Sequence, residues 1–157
     1  MLDAFFEFLV YLATNYGYIG AFLTAFITSA TIFIPIPGHV FAFLLSGYNH
    51  PLLIGLVSAL GSTFGEFVGY GVGKGISEAS DQFDEWVEKL EKKLENYGVF
   101  FAILVFAATP LPDDLTGILA GGMDYDPKKF FLAVFIGKAI IYLFVAYFGA
   151  RVFGWLF

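Results

Sequence analysis

Five ionisable side chains fall within stretches that are otherwise typical of membrane interior: Glu66, Lys138, Asp113, Asp114 and His39. A charge at hydrocarbon depth costs about 3 kcal/mol or more unless it is paired or hydrated, so these residues are functional candidates by default. Buried acids can carry protons, and a lysine can bind an anion. For Glu66 and Lys138, a purely structural ion pair is as well supported as a functional one.

Residue counting along the helices places four of these charges in one layer. At 1.5 Å per residue, Lys138 lies roughly 12 Å below one membrane face, and Glu66 lies at a similar depth, so the two are expected to pair. The two aspartates lie roughly 13 Å from the same face. Capping of their own helix explains these aspartates as well as transport does. His39 is explained more readily as a cap than as a proton carrier.

The composition makes the bilayer the solvent for most of the chain. Hydrophobic residues make up 59% of the sequence and charged residues 14%, against about 25% charged residues in soluble domains. Between Phe8 and Gly65 there is no Asp, Glu, Lys or Arg. The net charge of -6 reflects acids concentrated in residues 78–95 and implies no particular partner. We expect an all-α, multi-pass protein of the plasma membrane.

Two proline turns interrupt apolar segments that are too short to cross a bilayer. Pro35, Pro37 and Gly38 stop the uncharged run 17–34, because proline removes a hydrogen-bond donor and blocks helical geometry. The next apolar piece, residues 39–47, is shorter than the roughly 20 residues that one crossing needs. Both pieces together predict a re-entrant helical hairpin, which enters and leaves the membrane on one face.

The pattern occurs twice. Pro110 and Pro112 repeat the first turn, and a long apolar helix follows each hairpin. Each unit then crosses the membrane once, so successive units must be inverted, as in many secondary transporters. The predicted divisions are an interfacial helix (1–15), the first unit (16–76), an amphipathic connector (77–95) and the second unit (96–151).

Glycines recur every fourth residue in the first long helix, which predicts a smooth face for close helix packing. These glycines are Gly61, Gly65, Gly69 and Gly73. The positive charges outside the membrane suggest an orientation, since every lysine except the membrane-buried Lys138 falls on the membrane face opposite the first hairpin, and Arg151 alone falls on the other. By the positive-inside rule, the lysine-bearing face is cytoplasmic.

These features resemble the DedA family, also called SNARE-associated Golgi or VTT-domain proteins, over about residues 16–150. The matching features are the turn at Pro35–Gly38, the glycine-rich helix with Tyr70, the second turn at Pro110–Pro112, the segment Ala120–Met123, and then Phe130 and Gly137.

The resemblance implies two opposed re-entrant hairpins that move lipids between leaflets. Bacterial members are linked to the polyprenyl-phosphate carrier and to the proton motive force, and eukaryotic members to phospholipid scrambling. This chain has His39 where those bacterial members have an acid. It has Ala107 and Asp113 where they have arginines, so Lys138 is the remaining source of positive charge.

The leading hypothesis is a lipid flippase or scramblase, for polyprenyl phosphate or a phospholipid, that binds an anionic head group between the hairpin tips and is coupled to protons. The alternatives are a proton-coupled transporter of a small solute or cation, and a structural or assembly subunit. No catalytic, nucleotide-binding or metal-binding motif is recognised, so no enzyme activity, cofactor, metal or nucleic-acid partner is expected. Formation of a homo-oligomer is left open.

The two aspartates give a test that separates capping from proton transfer. Asn caps a helix about as well as Asp but cannot titrate. We expect the double variant Asp113→Asn, Asp114→Asn to keep its fold and to lose the pH dependence of lipid movement, measured with labelled lipids in liposomes. If lipid movement by the double variant keeps the pH dependence of the wild type, these acids are only caps.

Overall fold

The structure, a computed structural model, describes residues 2–31, 38–109 and 114–156, with only the backbone at residues 2, 95–97, 114 and 156. The described residues form helices and no strand, which confirms the all-α prediction. A long helix, a nine-residue helix and a second long helix follow one another twice. In order, the helices are α1 Leu2–Ala30, α2 Gly38–Ser46, α3 Pro51–Ala79, α4 Asp81–Ala107, α5 Asp114–Gly122 and α6 Pro127–Leu156.

Three of the described helices are long and apolar enough to cross a bilayer: Asp3–Ala30, Pro51–Ala79 and Pro127–Trp155. The last two are continuous. The first is bent at Gly17, where φ is 53° and ψ is -119°. Its two halves, residues 2–16 and 18–30, are each shorter than the roughly 20 residues of a full crossing.

The bend at Gly17 turns the start of α1 back onto the rest of the helix. A Cβ atom on Gly20 would overlap the carbonyl oxygen of Leu12, so only glycine permits this approach. Leu9 and Ala13, from the first half, are buried in the same cluster as Ala21 from the second half. The predicted helix at residues 1–15 therefore packs on the protein, and its position at a membrane interface stays a prediction.

The second copy of the same tripeptide does not bend. Asn96-Tyr97-Gly98 lies inside the continuous helix α4, although it repeats the sequence around Gly17. Phe101 occupies the position that corresponds to Gly20, and its side chain would prevent an equally close fold-back. The amphipathic connector is therefore continuous with the apolar part of α4, and it begins after Ser80, whose hydroxyl accepts from Phe83 N.

The second half of α1 and α2 lie side by side and run in opposite directions. At one end, the backbone N of His50 donates to the Tyr18 hydroxyl at 3.3 Å. At the other end, Gly38 lies so close to Thr28 that a Cβ would overlap the Thr28 hydroxyl. These contacts define a helical hairpin. Entry and exit at one membrane face stay a prediction, because no membrane is present.

The tips themselves fall outside the described residues. Pro35 and Pro37 lie in the gap between α1 and α2, and Pro110, Pro112 and Asp113 lie in the gap between α4 and α5. The helices end and restart on both sides of these residues, as the proline turns predicted. Gly38 is described and is the first residue of α2.

The predicted glycine face of α3 is confirmed, and it contacts two different helices. Cβ atoms on Gly61 and Gly65 would meet backbone of α1 at Phe22 and Phe26. One on Gly73 would overlap the carbonyl oxygen of Ile118 in α5. Gly69 is buried and faces α5 as well, since Gly117 of that helix approaches its backbone. The glycine face of α3 thus packs on its own unit in the first half of the helix and on the other unit in the second half.

Helix α6 repeats this arrangement. Gly137 packs on Leu104 and Ala107 of α4, in its own unit, and Gly149 packs on Phe43 of α2, in the first unit. The two units are therefore interlocked through their long helices. Whether they are inverted in a bilayer stays a prediction.

A group of hydrogen bonds ties the end of α5 to α3 and leads into α6. The Tyr70 hydroxyl donates to the Tyr125 carbonyl oxygen, and Lys74 pairs with Asp124 at 2.6 Å at the surface. The Asp126 carboxylate then accepts from the backbone N of Lys129 and of Lys128, and these bonds lower the pKa of Asp126 as they cap α6.

Two glycines of α3 provide a test of the close packing. Gly73→Ala should force α3 and α5 apart and lower the free energy of unfolding by about 1–3 kcal/mol. Gly71→Ala is the matched control, because no atom lies within 4 Å of its added Cβ. Thermal unfolding in detergent should show a lower midpoint for the first variant alone. Equal midpoints would contradict the close contact.

Candidate functional site

Glu66 of α3 and Lys138 of α6 form a buried ion pair. Lys138 Nζ lies 3.1 Å from Glu66 Oε1, and the side chains are only 4% and 3% exposed, respectively. The predicted contact between these two residues is confirmed. Their part in function stays a prediction, because a contact alone does not distinguish a structural pair from a working one.

Packing between α3 and α6 fixes the position of the pair. Gly55 of α3 fits against Leu143. Near the other end of the contact, the rings of Phe67 and Phe130 meet edge to face, with centroids 5.2 Å apart. Edge-to-face ring pairs are worth about 0.5–1.5 kcal/mol beyond their buried area. The helices are thus held on both sides of the pair, and the two charges have little freedom to separate.

The start of α2 reaches the same region of α6. The rings of His39 and Tyr142 lie with centroids 4.7 Å apart, and Tyr142 is 1% exposed. Tyr142 follows Lys138 by one helical turn, so both project from one face of α6. A Cβ on Gly38 would lie 3.0 Å from the Tyr142 hydroxyl. The N-terminus of α2 therefore lies beside the turn that carries the lysine.

The start of α5 reaches the acidic partner. A Cβ on Gly117 would lie 2.8 Å from the carbonyl oxygen of Glu66, so the first turn of α5 packs on the turn that carries the acid. This helix begins at Asp114, whose backbone is described without its side chain. Asp113 lies outside the described residues. The structure thus brings Glu66, Lys138, His39 and Gly38 to one layer, and it places the backbone of Asp114 there too.

Hydroxyl groups extend this layer between α1 and α3. Ser29 and Ser62 share a hydrogen bond of 2.6 Å, and both helices approach closely here because Gly61 and Gly65 lie on either side of Ser62. Thr28 donates back to the carbonyl oxygen of Thr24. Buried polar groups are stable only when they are hydrogen-bonded, and these hydroxyls are.

Sequence reasoning missed Tyr142 and the hydroxyl residues. Tyr142 had a usable signal, since it stands four residues after Lys138 and must share its helix face. Ser29 and Ser62 had none, because serine in an apolar helix usually donates to its own backbone. Only the packing of α1 on α3 brings the two hydroxyls together.

The layer combines a lysine, an acid and two helix N-termini. Each N-terminus presents unpaired backbone N–H groups and about half a positive charge. Such ends favour anions, phosphate in particular. The layer can therefore hold an anionic group at the ends of α2 and α5, with Lys138 as the neighbouring cation. Glu66 balances the lysine charge when no anion is bound.

Comparisons with known proteins show the family to which the chain belongs. The model of the VTT domain matches residues 36–151. An uncharacterised protein of Methanocaldococcus jannaschii is 32% identical over 146 residues, covering 88% of this chain and 88% of its own length. No solved structure matches the chain. The three long apolar helices and the family match define a multi-helix membrane protein. The chain belongs to the VTT-domain, or DedA, family, and the resemblance seen in its sequence is confirmed.

A double-mutant cycle tests the buried pair. Glu66→Met or Lys138→Met alone should lower the free energy of unfolding by about 3–5 kcal/mol, because each leaves one buried charge without its counter-charge. The double variant should recover most of this loss, since two apolar side chains of similar volume replace both charges. Thermal unfolding in detergent measures the effect.

The control is Lys74→Met, which breaks the exposed pair with Asp124 and should change stability little. A double variant that loses as much stability as the sum of the two single variants would show that the two charges do not interact.

Proposed function

We propose that this protein moves lipids between the leaflets of the plasma membrane by binding an anionic head group beside the Glu66–Lys138 pair. The observation that carries the proposal is this pair itself, buried between α3 and α6 next to the first turns of α2 and α5. The head group lies in a layer of hydroxyls, charges and helix ends, and no covalent step is involved.

The free-energy cost of burying two charges argues that the ion pair has a role in function. Apolar residues of similar volume often replace a buried ion pair without loss of stability. Helix packing here already rests on glycine contacts along α3 and α6, which do not need the charges. A charged pair that stability does not require is expected where a charged ligand must be bound and released.

The arrangement of helices supports a transport mechanism. Secondary transporters with inverted repeats bind substrate near the midplane, at the interface of the repeats, where discontinuous helices point their ends at the ligand. In this chain, α3 contacts α5 and α6 contacts α2, so α3 and α6 each contact both units. Inversion of the units as re-entrant hairpins is part of this proposal.

Proton coupling follows from the acids near the site. An anionic head group and Glu66 would repel each other unless Glu66 gains a proton or keeps Lys138 as its partner. Protonation of the acid would free the lysine to pair with the head group. Loss of the proton would restore the Glu66–Lys138 pair and release the lipid. The proton and the lipid are then the two partners of one cycle.

Lipid movement in liposomes tests the proposal. Lys138→Met should slow movement of fluorescent phosphatidylglycerol more than that of phosphatidylcholine, because only the first carries a net negative charge. Dithionite quenching of outer-leaflet label gives the rate. Lys74→Met removes a lysine from an exposed pair instead and should match the wild type.

The pair-free variant Glu66→Met, Lys138→Met separates function from folding. If it is stable and moves lipid at the wild-type rate, the pair is structural and the proposal fails. Uptake of a cation or small solute by wild-type liposomes that move no lipid would favour the solute transporter instead.

A further inference from the structure

The last turns of α6 carry one arginine between exposed aromatic side chains. Arg151 is exposed and forms no ion pair in the part of the chain that the structure describes. Tyr147 precedes it by four residues and Trp155 follows it by four, so the three side chains share one face of the helix. Both rings are exposed as well. We call these three residues the α6 arginine cluster.

Packing inside the protein does not require these side chains. Gly149 of α6 corresponds to Gly73 of α3, 76 residues earlier in the repeat, and both glycines pack closely on a short helix. A Cβ on Gly71 or Gly75 of α3 would meet nothing within 4 Å, so this side of the helix faces outward. By the same count, the residues of α3 that correspond to the α6 arginine cluster are Gly71, Gly75 and Ala79. The large side chains of α6 therefore have a reason outside the packed fold.

The spacing of charges along α6 places Arg151 at a membrane surface. It follows Lys129 by 22 residues, which is about 33 Å of helix, while the hydrocarbon core is about 30 Å thick. With Lys129 at one surface, Arg151 therefore reaches the lipid phosphates of the other. A Cβ on Gly47 would overlap the ring of Phe153, so Arg151 also lies close to the level at which α2 ends. Tyrosine and tryptophan are enriched at this level of membrane proteins.

Two shallow grooves on the surface of α6 meet at Arg151 and Phe148. One is lined by Phe144 and Tyr147 and extends toward the middle of the helix, and the other extends toward its end, at Trp155. Among the described residues that line them, Arg151 alone is charged. A phosphate at the guanidinium would thus have an apolar groove for an acyl chain on the inner side.

The charges of the chain argue against a second α6 as the partner of this face. No Asp or Glu follows Asp126, so a two-fold contact between two α6 helices brings no acid to Arg151. It would leave the arginine among apolar side chains or beside its own copy, and both are unfavourable. Lipid phosphate is the anion that a membrane surface offers, and a guanidinium binds phosphate oxygens through paired N–H groups.

We propose that the α6 arginine cluster is a lipid-binding site, at which Arg151 binds the phosphate of a phospholipid and the two aromatic rings pack beside it. A lipid with a net negative charge is preferred, because a zwitterionic head group brings its own cation close to the phosphate. Arg151 lies 13 residues beyond Lys138, or about 20 Å along the helix, so this site is separate from the buried ion pair. It does not depend on the proposed transport.

Quenching of Trp155 fluorescence by brominated lipids tests the site. Trp86 and Trp155 are the only tryptophans of the chain, so the full-length variant Trp86→Phe leaves one reporter, which is 88% exposed. It is placed in phosphatidylcholine liposomes with a minor fraction of phosphatidylglycerol, and one lipid or the other carries bromine on its chains. We expect phosphatidylglycerol to quench about five-fold more than its mole fraction predicts, the preference expected of one basic side chain at a membrane surface.

The controls are made in the same single-tryptophan protein. Arg151→Gln should remove the excess quenching, whereas Lys128→Gln, at the other end of α6, should keep it. Higher salt should weaken the excess with Arg151 in place, because it screens exposed charges. Equal quenching per mole of the two lipids, or an excess that survives in Arg151→Gln, overturns the inference. Resistance of Trp155 to both brominated lipids would mean that a second copy covers this face, and would overturn it too.

Discussion

The structure depends on the close approach of backbones at glycine. A nine-residue helix cannot cross a bilayer, and its ends cannot face lipid with unpaired N–H and C=O groups. The ends of α2 and α5 must therefore be covered by protein. Gly73 brings α3 against α5, and Gly149 brings α6 against α2, closer than any side chain would allow. Helix α5 is thus packed against α3 of the first unit, and α2 against α6 of the second unit. These contacts join the two units into a single body.

This enclosure also explains where the charges lie. The glycine face of α3 packs on α1 in the first half of the helix and on α5 in the second half. Glu66 lies between these two contacts, next to the first turn of α5. Lys138 and Tyr142 hold a comparable place on α6, next to the first turn of α2. A layer that holds two helix N-termini has a positive potential, and an acid there offsets it. The position of the ion pair therefore follows from the same packing that covers the ends of the short helices.

Much of this could be read from the sequence, because it rests on local signals. Proline turns marked the breaks in the helices, the four-residue glycine period marked the packed face of α3, and depth counting paired Glu66 with Lys138. The bend of α1 was harder to foresee. Asn-Tyr-Gly occurs twice and bends once, and the difference comes from Gly20 and Phe101, three residues further on. Contacts of this kind, and the Ser29–Ser62 bond, depend on tertiary packing that has no periodic signature.

The difference between the two units also constrains any transport cycle. In many transporters with inverted repeats, two units related by symmetry move against each other around a fixed site. Here Phe101 keeps α4 from adopting the fold-back of α1, so the two units cannot simply exchange shapes. The first hairpin is closed by a buried apolar cluster that includes Leu9 and Phe41. Helix α5 instead packs on the backbone of α3 at Gly73, Gly117 and Gly121. Rearrangement around the ion pair must therefore break close backbone contacts at α5 and a cluster of buried side chains at α2, so the two short helices cannot respond in the same way.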